Sequence, residues 1–365
     1  MERLRVVHVL HSFDTGGLEK GIAALIRQAA PDIEPMVLCL SRNGASSRLV
    51  PPGTRIVELF KPPGNSFRFI LKLSKALWSL HPQVVHTRNW GGMEGVLAAR
   101  LIGFRRVVHG EHGWEVQDPE GRNPRRVRAR RFLSRWVREY TCVSRRMKAW
   151  LEREVRVPRP VTQIYNGIDT ETYAPGPDRG LRDALDIPAN APVIGTVSRL
   201  DPIKDHSTLL EAFATVRERF PRACLLVVGD GAERRKLERM ACQGVWFLGN
   251  RHDVPDLLRI MNVCVLPSIN EGISNTILEA MASGLPVIAS HAGGNPELVD
   301  ADLTGMLFSA GDVRSLSKGL CRYLEDPDLR AAHGRAGREK VAREFGVERM
   351  VRAYEQVYRR VALQG

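Results

Sequence analysis

Short apolar runs separated by helix-length amphipathic segments recur from one end of the 365-residue chain to the other. This alternation restricts the fold to α/β, with parallel sheets covered by helices. In the first half the spacing predicts strands at 6–10, 36–40, 84–86, 107–109, 140–143 and 161–165. In the second half it predicts them at 193–197, 224–228, 246–248, 263–266 and 287–289. Between the two series, 166–192 is rich in Gly, Pro and Asp with no apolar period, which reads as a linker. The expected division is a first domain over 1–168, a linker over 169–190 and a second domain over 191–346. A last periodic segment, 347–361, is expected to pack back on the first domain.

The segment Glu271-Gly-Ile-Ser-Asn-Thr-Ile-Leu-Glu279 places two carboxylates around a helix start. The run 263–266 forms the strand, 267–272 turns the chain, and Ile273, Ile277, Leu278 and Met281 recur at helical spacing. Glu271 then stands at the carboxyl end of a strand, where open α/β sheets place ligands. Glu279 is expected about two turns along the helix. Amides of Ser274, Asn275 and Thr276 would face the helix amino end, where free N–H groups and the dipole favour phosphate. A sugar joined to a diphosphate needs both an acceptor for hydroxyls and such a nest. Glutamates in first turns also arise because they complement the dipole, so the pair alone leaves both readings open.

Two other strand ends carry suitable groups. After the first strand, His11 to Glu19 contains Gly16 and Gly17, which let a backbone approach a ligand closely at a helix start. The spacing is not the dinucleotide fingerprint, and a plain tight turn is an equal reading. After strand 193–197 come Arg199 and Lys204, a bidentate phosphate fork and a point charge. His112 follows 107–111 and should emerge at a strand end, while His86 and His109 fit core positions.

Charge adds a partner class. There are 54 basic and 41 acidic residues, a net +13, which calls for an anionic partner. The segment 122–148 holds eleven basic residues against one acid, Glu139, with Phe132, Leu133, Trp136, Val137 and Tyr140 at helical spacing. Such a segment suits an anionic membrane surface, although the stripe could equally pack inward while its arginines face water. A nucleic-acid partner is disfavoured, because the basic residues do not interleave with an aromatic strand platform and no helix-turn-helix stands out. Six scattered cysteines read as small core residues in a reducing compartment. The start MERLRVVHVLH is too short for a signal sequence, and no run reaches membrane-spanning length. The expected location is the cytoplasm, with peripheral contact at the inner face of the plasma membrane.

Gly16-Gly17, Glu111-His112-Gly113, Asn166-Gly-Ile-Asp169, Ser198-Arg-Leu200 with Lys204, and Glu271 with Glu279 together resemble the retaining glycosyltransferases of family 4. That resemblance covers nearly the whole chain and implies the GT-B fold, two Rossmann-like doubly wound parallel-sheet domains facing across a cleft. It implies transfer of a hexose from a nucleoside-diphosphate sugar, the co-substrate, to a hydroxyl with retained configuration. Arg199 and Lys204 would hold the diphosphate, Glu271 a sugar hydroxyl and Glu279 the ribose. Amides of Gly272, Ser274, Asn275 and Thr276 would meet sugar and phosphate, Gly16 and Gly17 would close over the phosphates, and 166–169 would serve the hinge. His112 would contact a sugar hydroxyl or the leaving region. Ser198 stands where the family commonly has Gly, a small departure. The loop His86 to Glu94 resembles transferases of exopolysaccharide assembly, making Asn89, Trp90 and Glu94 acceptor-side candidates beside His112. The acceptor implied is polyprenyl-linked or a glycan. Neither metal nor other cofactor is expected. A nucleotide-sugar epimerase of the same architecture is the competing enzyme reading.

Overall fold

The computed structural model describes residues 3–14, 16–64, 66–114, 118 and 120–364. Met1 and Glu2 of the amino terminus and Thr15 of the His11 to Glu19 loop lie outside them. The chain divides into two compact units, 1–167 with 347–365, and 168–346.

The first unit is built on a parallel sheet of β1 (Leu4–Leu10), β2 (Ile33–Cys39), β3 (Ile56–Glu58), β4 (Val84–Arg88), β5 (Val107–Glu111), β6 (Glu139–Cys142) and β7 (Val161–Gln163). Their order is β3-β2-β1-β4-β5-β6-β7. The second unit carries β8 (Val193–Val197), β9 (Cys224–Val228), β10 (Val245–Gly249), β11 (Val263–Leu266), β12 (Val287–Ser290) and β13 (Gly305–Phe308), in the order β10-β9-β8-β11-β12-β13. Strand order reverses at β1/β4 in one sheet and at β8/β11 in the other. These are the two switch points where such sheets open a crevice at their carboxyl ends.

Central strands are mainly apolar because helices cover both faces, although His8, His86, Arg88, His109 and Glu111 interrupt those of the first unit. Val6, Val84 and Val108 are fully buried under the helix Val347–Leu363, which presents Val347, Met350, Val351, Tyr354, Val357, Tyr358 and Val361 at helical spacing. In the second unit Ile194, Val263 and Ile288 pack with Leu209, Phe213, Leu316 and Tyr323. Cys39, Cys142, Cys224 and Cys264 are buried, and all six cysteines are free thiols. Among the described residues no helix is long and apolar enough to cross a membrane.

Three expectations need correction. First, β3 and β13 were not foreseen; both are short strands at sheet edges, with too few residues to show a pattern. Second, 169–190 is not a free linker but part of the second unit. Ile187 is buried, and Arg182 donates to the carbonyls of Ala191 and Ile260, both at 3.0 Å. Its Gly, Pro and Asp residues erase periodicity, while a few anchors suffice to fix it. Third, the stripe from Phe132 to Tyr140 is not one helix. The helix Pro124–Leu133, capped by the Asn123 side chain, ends in a tight turn at Ser134–Trp136, and Tyr140 lies buried on β6. The β-pattern of 139–142 prevails because Arg138 N–H already joins the sheet through the Val107 carbonyl at 2.7 Å.

Candidate functional site

The second unit brings its predicted groups to the β8/β11 switch point. Lys204 ends a tight turn after β8, Pro202–Lys204, and its Nζ donates to Glu271 Oε1 at 2.5 Å. Ser268 Oγ donates to the same oxygen at 2.8 Å. The Ile269 amide donates to the Ile203 carbonyl at 2.8 Å, so the loops after β8 and β11 are tied by backbone as well. Both charged side chains keep part of their surface, 17% for Lys204 and 10% for Glu271, and are therefore not sealed from a ligand. Arg199 is not drawn into this pair. It lies 3.0 Å from Asp201 with 66% of its side chain exposed.

Glycines allow the Glu271 loop its position. Gly293, just after β12, has φ +58, and a Cβ there would stand 2.0 Å from the Glu271 carbonyl oxygen. A Cβ on Gly294 would stand 2.2 Å from the Gly272 carbonyl. Neither backbone oxygen can retreat cheaply, so the turn after β12 seats the turn after β11. Behind the pair, His206 Nε2 lies 2.9 Å from Ser198 Oγ. Burial first, and the Lys204 ammonium second, hold this imidazole down at about 4.

The helix Asn275–Ala282 starts beside Glu271. Ser274 caps it by accepting from the Ile277 amide at 3.3 Å, and Thr276 Oγ1 donates to the Val197 carbonyl at 2.7 Å. With both hydroxyls engaged, these residues would meet a ligand through backbone amides. Glu279 lies little more than one turn along, nearer the start than expected, and is buried. Tyr173 OH donates to its Oε1 at 3.0 Å, and burial, followed by the Glu279 carboxylate, pushes the phenol up.

The first unit assembles a different group at β4 and β5. Arg88, which closes β4, is 2% exposed. Its Nη1 lies 2.8 Å from His112 Nε2, and its Nη2 lies 3.2 Å from His8 Nδ1 and 3.3 Å from His86 Nδ1. Tyr358 OH meets His86 Nδ1 at 2.8 Å, and the guanidinium stands over the Tyr354 ring at 5.5 Å. Asn89 accepts the His112 amide at 2.7 Å from a left-handed backbone, φ +52. Burial first, then Arg88, lower the His8, His86 and His112 imidazoles well below their usual value.

One step behind, Arg130 Nε donates to Glu111 Oε1 at 2.7 Å. Burial alone would raise the Glu111 carboxyl; the Arg130 guanidinium and His109 outweigh it and hold it at about 2. Arg130 also lies 5.0 Å from the Trp90 ring and 5.2 Å from that of Trp150, which makes Trp90 a platform for arginines. Glu94 is paired with Lys61 at 2.8 Å. Gly16 precedes the helix Gly17–Arg27 with extended backbone, and the nearest obstacle to a Cβ there is the flexible end of Glu19.

Sequence reasoning missed Ser268, Tyr173, the Gly293-Gly294 seat and Arg88. The double glycine after a strand was a visible signal, and so was an arginine ending the run Val-Val-His-Thr-Arg. Nothing in the sequence marks Tyr173.

Comparison with known proteins follows the same division. The family described as Glycosyltransferase Family 4 matches 15–172, and that described as Glycosyl transferases group 1 matches 191–326. A GDP-mannose-dependent monoacylated alpha-(1-6)-phosphatidylinositol monomannoside mannosyltransferase of Corynebacterium glutamicum is 30% identical, with 92% of each chain covered. The UDP-Gal:alpha-D-GlcNAc-diphosphoundecaprenol alpha-1,3-galactosyltransferase of Escherichia coli is 29% identical over 85% of this chain and 82% of its own. In fold, the chain is similar to HepE of Anabaena, solved with UDP and glucose. That match has a TM-score of 0.84 at 22% identity and covers 97% of this chain and 99% of that one.

Proposed function

The chain belongs to glycosyltransferase family 4, and from that premise we propose a retaining hexosyl transfer from a nucleoside-diphosphate sugar to a hydroxyl of a lipid-linked or glycan acceptor. The product belongs to an exopolysaccharide or another cell-surface glycan, and no metal takes part. The observation that carries this reading is the Lys204–Glu271 pair, with Ser268, at the β8/β11 switch point beside a helix amino end.

The demanding step separates charge, since an oxocarbenium-like sugar develops while negative charge gathers on the departing diphosphate. Groups fixed before the reaction and aimed at that charge lower the barrier most. Lys204, Arg199 and the amides of 272–276 supply them here, and Arg199 must swing from Asp201 to join. Glu271 accepts a hydroxyl of the transferred sugar and Glu279 one of the ribose. Gly16 and Gly17 let first-unit backbone approach the phosphates. His112, neutral and beside Asn89, meets the sugar. Attack then comes from the face the diphosphate leaves, with a phosphate oxygen taking the acceptor proton.

Support for a lipid-linked acceptor comes from the E. coli relative, whose name gives a diphosphoundecaprenol acceptor, and from the C. glutamicum relative, which acts on a phosphatidylinositol mannoside. A membrane surface also fits exposed side chains of the first unit. Phe67, Leu71 and Trp78 project from the helix Phe67–Leu80 with Arg68 and Lys75, and that helix holds no acid. The segment 122–148 adds exposed Arg125, Arg128, Arg131 and Arg135, whereas Arg130 is buried.

The deciding experiment incubates the protein with UDP-galactose, UDP-glucose or GDP-mannose, with and without a polyprenyl diphosphate-linked sugar. Free nucleoside diphosphate released only with acceptor supports the transferase. A donor whose sugar changes configuration without release would replace it with the epimerase.

A further inference from the structure

A guanidinium carries only donors and cannot lose its proton in a protein, so each nitrogen it bonds must be a lone-pair acceptor. The three ring nitrogens facing Arg88, His112 Nε2, His8 Nδ1 and His86 Nδ1, are therefore unprotonated. For His112 this leaves the single ring proton on Nδ1. That atom has no hydrogen-bond partner among the described residues, and His112 as a residue is half-buried. Arg88 has no carboxylate partner among the described residues, although it is almost wholly buried. A buried cation without an anion is costly, and an apolar side chain would serve packing as well. Its position at the end of β4, bonded to the histidine that follows β5, points to a use at that sheet edge.

We propose that Arg88 is a positioning residue that locks His112 in the Nδ1–H tautomer, so that His112 meets the substrate as a hydrogen-bond donor and never as a base or a cation. This rests on the reading of His112 as a substrate contact. An Nδ1–H donor suits a hydroxyl oxygen of the sugar or a phosphate oxygen and excludes proton abstraction by this ring. The lock is electrostatic as well as geometric. Protonating His112 would set a second positive charge against Arg88. Glu111, the one carboxylate among the described residues acting on the ring, is already engaged by Arg130 and faces His109 at 3.5 Å. His109 stands on the same strand, and His86 approaches from β4 across Gly110, each held to a neutral neighbour, Thr87 and Tyr358. The transferase should thus keep its rate through the pH range in which an ordinary histidine titrates.

Long-range proton–nitrogen correlation spectra of the imidazoles read the tautomer directly, with the His112 signals assigned by their loss in His112→Asn. The wild type is expected to show a neutral ring protonated at Nδ1 from pH 8 to pH 5.5. An Nε2–H ring or an imidazolium in that range would overturn the proposal, and this test needs no variant at Arg88 to fold. In Arg88→Met the ring should change tautomer or titrate, and kcat should fall roughly 10-fold or more with a new acid limb, since a misplaced group near the reacting atoms is felt strongly. An unchanged tautomer with an unchanged pH profile in folded Arg88→Met would also overturn it. His112→Ala separates the two layers. Full turnover there refutes the substrate contact and with it the proposed use of the lock, while the spectra still decide whether the lock exists.

Discussion

The two sheets are wired in opposite ways at their carboxyl edges. At β8/β11 a cation meets a carboxylate, Lys204 against Glu271, and both keep some exposure. At β4/β5 a cation meets, among the described residues, only neutral rings, Arg88 against three histidines, and is sealed. A partly exposed ion pair can exchange partners with a charged, hydroxyl-bearing ligand at small cost. A sealed cation cannot reach a ligand and acts by fixing what its neighbours present. The second unit is therefore suited to gripping charge, and the first to orienting neutral groups.

Truncating the grip should give the largest effect. Lys204→Ala and Glu271→Ala are each expected to lower kcat/KM by about 10²- to 10³-fold, as loss of one charge-stabilising donor does, with the melting temperature nearly unchanged. A variant within threefold of wild type would remove that residue from the site.

Acid should weaken the first unit before the second. His8, His86, His112 and His206 are held neutral by the fold, so the unfolded chain binds more protons below the ordinary value of 6.5. Their stabilisation is complete above that value and declines as the pH falls toward each folded value. For His206, held at about 4, the loss is of order 3 kcal/mol. His8, His86 and His112 act together in the first unit. Amide exchange followed from pH 7.5 to 4.5 should show protection failing in β4 and β5 ahead of β8 and β11. Equal loss in both sheets would break the contrast.

Gly293→Ala sharpens it from the other side. The left-handed backbone and the contact with the Glu271 carbonyl should cost about 2 kcal/mol of stability. Donor affinity should fall, while the His112 ring signals stay unmoved. Retained donor affinity would show that the Glu271 loop does not depend on this seat. The smallest effect is expected at the surface. Arg125→Glu with Arg128→Glu should weaken flotation on anionic vesicles by about 1 kcal/mol per lost charge, leaving turnover on a soluble acceptor intact. Unchanged flotation would discard the segment as a membrane contact.

Most of the architecture was legible because buried parallel strands are mainly apolar. The runs at 193–197 and 224–228 coincide with β8 and β9. Edge strands β3 and β13 were too short to carry that signal, and 169–190 owes its place to scattered anchors such as Arg182. In the site, Glu271 and Lys204 were readable because motif and strand end coincide. Arg88 was hidden by the same logic that found the strands. An arginine ending an apolar run reads as exposed, and only the three histidines gathered from β1, β4 and the residue after β5 explain its burial.

The central claim is that the Lys204–Glu271 pair receives the donor diphosphate sugar. Calorimetric titration of wild type and Lys204→Ala with the nucleotide sugar that the turnover panel selects tests it most directly. At least a 10-fold weaker dissociation constant is expected for the variant. Equal affinity in the two proteins would contradict the account.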